Sequence, residues 1–485
     1  MKHAVRSTLI CLGLGVVGQR LLQLAAFVCI GRALGVDRLG LYAQGLALAG
    51  LLGVLASAGV RNLLARAVAR NPAGARQLVL TAVRMRLGVG TALAAAATGL
   101  AWTTAADPWF WTVCALQVLP SAFDLKNLLD AAGRTRAEVA LEVGAAAGQL
   151  VFVLLWLAAG GSDLTVLAAI ALGSRCLYAI GAVAAIARLP GNEPDRAQPA
   201  LAQRELVLPR LGDRIGIALA HSAHEAMATG DVWLVAACFG DGTAGLYAVA
   251  ARFATAALLP SAQLARLLLP HMLHASSVGD PSRTFGTAWR ATLLATLPMC
   301  AGGVAVAGPL CGLSGPEFTA AGPALVLLLF AGCLQHIGWQ CSHALLASRR
   351  DAAYARSMLW PAVMHACLLG GSAAWFASAH ASQNARLAAA CAALAHAVYA
   401  LAGWRSAHRG SQTAAPARLT GVVAVTAATG LFAALPRACC DGALLLPMQL
   451  LAGGLAFGFG LWFIELRGRL RQIGDGLVSA SGFRS

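Results

Sequence analysis

The sequence predicts an all-α polytopic membrane protein with about fourteen transmembrane helices. Hydrophobic residues make up 59% of the 485-residue chain and charged residues only 12%, whereas roughly a quarter of the residues in soluble domains are charged. The apolar residues recur in runs of about 20, the length that a helix needs to cross roughly 30 Å of hydrocarbon. The alternating pattern of a closed membrane barrel is absent from the sequence.

The apolar runs place membrane spans along the whole chain. The predicted spans are 8-31, 39-60, 87-106, 109-124, 139-160, 164-187, 214-239, 246-268, 288-308, 323-346, 357-378, 386-404, 419-435 and 443-464. The first is too long, and too interrupted by polar residues, to be a cleaved signal peptide. We therefore expect it to remain in the mature protein.

The distribution of basic residues explains the net charge of +16. When the N-terminus is placed in the cytoplasm, most arginines fall in predicted inner segments, including 61–86 and 188–213. This is the positive-inside pattern, which places both termini in the cytoplasm and requires an even number of spans. A nucleic-acid partner is not needed to explain the charge.

The sequence lacks the common motifs of several enzyme classes. Its only lysines are Lys2 and Lys126, so it has no GxxxxGK(S/T) phosphate loop, and no HExxH motif or nucleophile elbow occurs. The thirteen cysteines include no CxxC pair, and most are expected to pack as small apolar residues. Cys439 and Cys440 are adjacent in a predicted outer loop, but no redox role is assigned to them. We expect neither catalysis nor a cofactor.

An internal repeat divides the chain into two halves. The stretch from Leu34 to Arg61 aligns without gaps on Phe239 to Arg266, and the GLYA turn recurs in both copies. Six spans, an even number, separate the copies, so both have the same orientation in the membrane. The predicted domains are a six-helix lobe at 1-187, a cytoplasmic linker at 188-213, a second six-helix lobe at 214-404, and two extra helices with a cytoplasmic tail at 405-485.

Polar and charged side chains inside the spans indicate a candidate substrate site, because each is costly in a membrane unless it faces protein or water. Arginine binds phosphate oxyanions bidentately, and amide and imidazole groups form hydrogen bonds with polar ligands. The alternative is that these arginines pair with a carboxylate or with backbone carbonyls. The candidate substrate-binding residues are Arg20, Arg252, Arg175, Gln19, Gln23, Gln335 and His336.

Span seven carries the candidate ion-coupling residues, which are Asp231, Glu225, His221 and His224. A carboxylate in a low-dielectric environment readily takes up a proton, and histidine titrates near neutrality, so this group suits proton transfer. By the offset of the repeat, Glu225 is the counterpart of Arg20. An ion pair between the two lobes is therefore the alternative interpretation.

Several segments of the sequence are informative together: the two GLYA turns, RNLLARAVARNPAGAR, LLDAAGRTRAE, ASSVGDPSRT and LCGLSGPEFTAAGPALVLLL. These segments resemble bacterial polysaccharide flippases of the O-antigen type, in the multidrug, oligosaccharidyl-lipid and polysaccharide exporter superfamily. The resemblance implies a V-shaped pair of six-helix bundles around a central cavity lined by spans one, two, seven and eight. It also implies that a polyprenyl-pyrophosphate-linked oligosaccharide moves by alternating access to the outer leaflet of the bacterial inner membrane, for O-antigen or exopolysaccharide synthesis.

Two alternative functions stay open. A membrane polymerase or glycosyltransferase of the same pathway would need a sizeable outer loop, whereas the longest one, around Pro309 to Gly322, has only Glu317 as an ionisable residue. A drug-cation antiporter of the same superfamily would be expected to have carboxylates in its cavity, and buried arginines oppose a cationic cargo. The expected partners are the lipid-linked glycan, membrane lipid and other membrane proteins of the pathway, a polymerase among them.

Overall fold

A computed structural model describes residues 2–57, 75–124, 135–187, 211–264, 281–348, 350–376, 380–408 and 449. Within these ranges the chain is helical and contains no strand. The helices are α1 (Lys2–Ser57), α2 (Ala75–Thr104), α3 (Pro108–Leu116), α4 (Val118–Ser121), α5 (Thr135–Ala158), α6 (Leu164–Ala187), α7 (Leu211–Phe239), α8 (Asp241–Ala257), α9 (Pro281–Gly312), the 3₁₀-helix η1 (Pro316–Ala321), α10 (Gly322–Ala347), α11 (Asp351–Phe376) and α12 (Ala381–His408). We call α1–α6 the N-terminal half and α7–α12 the C-terminal half.

A glycine divides α1 into two arms, 2–34 and 36–57. Gly35 has φ 74° and ψ −178°, a backbone conformation that glycine adopts readily because it has no Cβ atom. Gly240, its counterpart in the repeat, separates α7 from α8 with nearly the same angles, φ 85° and ψ 172°. The two copies of the repeated turn therefore share a backbone conformation as well as a sequence.

A described helix overlaps each of the first twelve predicted spans. The two arms of α1 cover spans one and two, and α3 and α4 together cover span four. Seven described helical segments are long and apolar enough to cross a membrane, so the chain is a multi-pass membrane protein. Spans thirteen and fourteen lie outside the described residues, apart from the single helical residue Gln449, and the count of fourteen stays a prediction.

Large apolar side chains are exposed on the outside of the helical bundle. Phe152 and Leu155 of α5 are 62% and 61% exposed, and Ile180 of α6 is 69% exposed. Trp102 and Trp109 pack edge to face, with ring centroids 5.2 Å apart, where α2 passes to α3. Exposed apolar faces suit contact with lipid chains, and paired tryptophans at a helix end suit the membrane interface.

The two halves touch backbone to backbone beside the repeated turns. A Cβ atom on Gly40 would lie 2.0 Å from the carbonyl oxygen of Asp241, and a Cβ atom on Gly245 would lie 2.1 Å from that of Val36. These two contacts are equivalent under the offset of the repeat. The second arm of α1 and α8 therefore cross at a point where neither helix has room for a side chain.

Hydrogen bonds reinforce this contact between the halves. Gln44 Nε2 donates to Asp241 Oδ1 at 2.7 Å, and Arg32 Nε donates to the carbonyl oxygen of Leu313, just after α9, at 2.6 Å. We call this region, made by Arg32, Gly40, Gln44, Asp241 and Gly245, the closure. In the predicted orientation the closure lies on the outer side of the membrane.

Candidate functional site

A cavity of about 460 Å³ lies mainly in the N-terminal half. Three of its lining residues are arginines and two are carboxylates, so cationic side chains are in excess. The polar and aromatic side chains that line it are Gln19, Arg20, Gln23, Phe27, Tyr42, Ser121, Asp124, Glu142, Gln149, Ser174, Arg175, Tyr178 and Arg252. All of these except Arg252 and Asp124 belong to helices α1–α6, and Asp124 follows α4.

The structure brings together the three arginines that the sequence analysis selected. Arg252 reaches the cavity from α8, and its guanidinium carbon lies 5.3 Å from the centroid of the Phe27 ring, a cation–π contact of about 0.5–2 kcal/mol. Arg20 and Arg175 are both close enough to repel the charge of Arg252. Two guanidinium groups that repel a third in one cavity favour binding of an anion there.

Arg20 keeps part of its hydrogen-bonding capacity for other partners. Its Nη1 donates to Gln23 Oε1 at 3.3 Å, while its buried Nε has no hydrogen-bond partner in the described part of the chain. Among the described residues, Arg20 and Glu225 do not form the ion pair considered above. Arg175, by contrast, is close enough to Asp124 to be attracted by its negative charge.

Two further buried polar atoms at the cavity lack hydrogen-bond partners within the described ranges. They are the Tyr42 hydroxyl and Gln19 Oε1; the two residues are 1% and 9% exposed. Leaving a buried donor or acceptor unsatisfied costs about 1–3 kcal/mol. A bound ligand that supplied complementary groups here would remove this cost.

The cavity differs from the expected one, which was lined by spans one, two, seven and eight. The fourth, fifth and sixth spans line it as well, and α7 contributes no lining residue in the described part of the chain. Glu142 and Gln149 of α5 were not predicted as site residues, although they lie seven residues apart and therefore on one helical face. Ser174 and Tyr178 of α6 share a face with each other in the same way.

Two candidate substrate-binding residues lie elsewhere. Gln335 and His336 are on α10 in the C-terminal half, and neither lines the described cavity. His336 is buried, and its ring centroid is 4.7 Å from that of Trp339. The structure therefore does not bring these two residues together with the three arginines.

Asp231, a candidate ion-coupling residue, is held in a local hydrogen-bond network. Its Oδ2 accepts a hydrogen bond from the Tyr247 hydroxyl at 2.7 Å, and its Oδ1 accepts one from the backbone N–H of Val232 at 2.8 Å. Asp231 and Arg252 also attract each other electrostatically. Asp231 thus lies within electrostatic range of the arginine that the C-terminal half contributes to the cavity.

The other candidate coupling residues lie nearer the N-terminus of α7. His224 is buried, and its Nε2 accepts a hydrogen bond from Trp339 Nε1 at 3.0 Å. Glu225 is half-buried. His221 belongs to α7, and its side chain lies outside the described part of the structure.

Known structures identify the fold. No protein-family model and no curated protein matches the sequence. The lipid II flippase MurJ, in an inward closed conformation, is similar with a TM-score of 0.65 and 12% identity, covering 94% of this chain and 99% of its own. A MOP superfamily transporter from Pyrococcus furiosus, reported to have a binding pocket of reverse polarity, is similar with a TM-score of 0.59 and 15% identity, covering 82% and 94%.

A multidrug resistance MATE transporter of the MOP superfamily, in an inward-facing conformation, has a TM-score of 0.58 and 15% identity, covering 82% of this chain and 96% of its own. The protein therefore has the fold of the MOP superfamily transporters. Its structural neighbours include a lipid II flippase and multidrug transporters, so the fold alone does not distinguish these two activities.

Proposed function

We propose that the protein is a flippase that moves a polyprenyl-pyrophosphate-linked oligosaccharide from the inner to the outer leaflet, for the synthesis of a cell-surface polysaccharide. The observation that carries this proposal is the convergence of Arg20, Arg175 and Arg252 on one cavity. Each charge-assisted contact between a guanidinium group and a phosphate oxygen contributes about 1.5–3 kcal/mol. One lipid II flippase among the structural neighbours also supports a lipid-borne cargo.

The contribution of both halves to the cavity fits alternating access. Arg20 and Arg175 belong to the N-terminal half, and Arg252 belongs to the C-terminal half. A pyrophosphate bound to all three would join the halves, whereas separating the halves would remove Arg252 from the anion. Movement of the halves thereby changes the affinity for the cargo.

Protons are the proposed coupling ions, carried by Asp231, Glu225, His221 and His224. The proposal is supported by the electrostatic attraction between Asp231 and Arg252, since the cargo anion would be attracted to the same arginine. Cargo bound to Arg252 would compete with the Asp231 carboxylate for the charge of this arginine. We place the protein in the bacterial inner membrane, with both termini in the cytoplasm.

A second candidate function is drug-cation antiport. The MATE transporters among the structural neighbours support it, as do the carboxylates Asp124 and Glu142 in the cavity. Under this alternative the three arginines would repel the cargo. Resistance of cells to cationic dyes, measured with and without the protein, tests it directly.

Replacement of Arg20 by alanine tests the flippase. We expect Arg20→Ala to stop export and to leave lipid-linked glycan in the inner leaflet, because the variant loses a bidentate phosphate contact. Arg20→Lys should restore only part of the export, since a point charge lacks the guanidinium fork. The control is Arg84→Ala, which removes an exposed arginine outside the cavity.

Two results would contradict this role of Arg20. One is normal surface glycan in Arg20→Ala at wild-type protein levels. The other is recovery of export when Arg20→Glu is combined with Glu225→Arg, because a charge swap preserves an ion pair but not a phosphate site.

A further inference from the structure

The internal repeat contains two equivalent tyrosines that differ in their hydrogen bonding. Tyr42 and Tyr247 follow the repeated glycine turns, and they are 1% and 0% exposed. The Tyr247 hydroxyl donates to Asp231 at 2.7 Å. The Tyr42 hydroxyl has no hydrogen-bond partner in the described part of the chain.

The substitution that causes this difference is visible in the sequence. The helix before each turn runs uninterrupted up to Gly35 or Gly240, so the offset of the repeat holds along both helices. By this offset, the residue equivalent to Asp231 is Ala26. The N-terminal half therefore has a methyl group where the C-terminal half has the carboxylate that accepts a hydrogen bond from the tyrosine hydroxyl.

Ala26, the position without a carboxylate, lies at the cavity. Tyr42 and Ala26 both line it, and Tyr42 is within electrostatic range of Arg175 and Arg252. A buried hydroxyl needs a hydrogen-bond acceptor, and these nearby guanidinium groups favour an acceptor that carries negative charge. A ligand oxyanion can therefore take the place beside Tyr42 that the Asp231 carboxylate takes beside Tyr247.

We propose that Tyr42 is a cargo-positioning residue that donates a hydrogen bond to a phosphate oxygen held by the three arginines. This inference rests on the proposed function, because it takes the phosphate to be part of a lipid-linked cargo. The arginines supply charge, and the hydroxyl adds a directional contact on the side of the cavity formed by Ala26. Tyr42 thus fixes the orientation of the anion.

Binding of undecaprenyl pyrophosphate to the purified full-length protein, measured by native mass spectrometry, tests the inference. We expect Tyr42→Phe to weaken binding about tenfold, since it removes one hydrogen bond to a charged group and keeps the ring. Ala26→Asp should weaken binding at least as much, because a carboxylate placed there accepts a hydrogen bond from the Tyr42 hydroxyl and competes with the phosphate. Tyr354→Phe is the control, since it removes a buried tyrosine hydroxyl outside the cavity.

The outcomes separate this inference from the proposed function. If Arg20→Ala weakens binding of undecaprenyl pyrophosphate and Tyr42→Phe binds like the wild type at equal thermal stability, the role of Tyr42 is refuted and the flippase stands. If Arg20→Ala also binds like the wild type, the proposed function itself fails. If Tyr42→Phe weakens binding of phosphatidylglycerol as much as binding of the pyrophosphate, the ligand is a phospholipid headgroup and the assignment to the cargo is overturned.

Discussion

Replacing Gly40 by alanine should open the closure between the two halves. The added Cβ atom would lie 2.0 Å from the carbonyl oxygen of Asp241, well under the 3.0 Å below which Cβ contacts essentially never occur. The obstructing atom belongs to the backbone of α8, so no side-chain rotation can relieve the clash. Overpacking of this kind costs about 1–3 kcal/mol, and the cost applies only while the helices are in contact.

This penalty converts into a shift of the equilibrium between closed and separated states. About 1–3 kcal/mol corresponds to a roughly 5- to 150-fold change in the ratio of the two states. Ala26→Cys in a cysteine-free background places a reporter in the cavity. In this background, Gly40→Ala should increase the rate of labelling by a membrane-impermeant maleimide added from outside.

The repeat supplies a second variant and the chain supplies a control. Gly245→Ala should act in the same way, because its Cβ atom would lie 2.1 Å from the carbonyl oxygen of Val36. Gly18→Ala is the matched control, since nothing lies within 4 Å of the Cβ position there. The reasoning is refuted if Gly40→Ala and Gly18→Ala show the same outside labelling and the same transport.

Three further predictions concern orientation, gating and coupling. A single cysteine at Asp241 should be labelled from outside the cell, and one at Ala200 should not; the reverse pattern would overturn the orientation. Cysteines in place of Gln44 and Asp241 should be joined by a short bifunctional thiol reagent with loss of transport, and unimpaired transport by the cross-linked protein would show that the closure does not open. Asp231→Asn or Glu225→Gln should abolish gradient-dependent transport while undecaprenyl pyrophosphate binding stays nearly intact, and full transport by both variants would make these carboxylates structural.

The sequence was sufficient to predict the helical membrane fold. Runs of about 20 apolar residues report helix length directly, because the thickness of the bilayer sets it. The repeated turn could also be predicted from the sequence. Gly35 and Gly240 have positive φ angles, and this backbone conformation favours glycine at both positions. The fold neighbours in the MOP superfamily agree with the first of these inferences.

The lining of the cavity was predicted only in part. Arg20, Arg175 and Arg252 stand out because a cation within an apolar run needs a partner or water, and the structure places all three at one cavity. Two residues show the limit of this reasoning. Glu142 was not predicted as a site residue but lines the cavity, whereas Gln335 was predicted as one but does not line it. The direction in which a polar side chain points depends on the rotation of its helix, and packing against other helices sets that rotation.

The reciprocal contact of Gly40 and Gly245 makes the junction of the two halves self-complementary. Each half contributes the same turn and a glycine whose backbone packs against the backbone of the other half. The isologous interface of a two-fold symmetric dimer has the same reciprocity. One half therefore contains every element that this junction requires. Two identical copies of a single half, side by side with the same orientation in a membrane, could meet through this contact without any second surface.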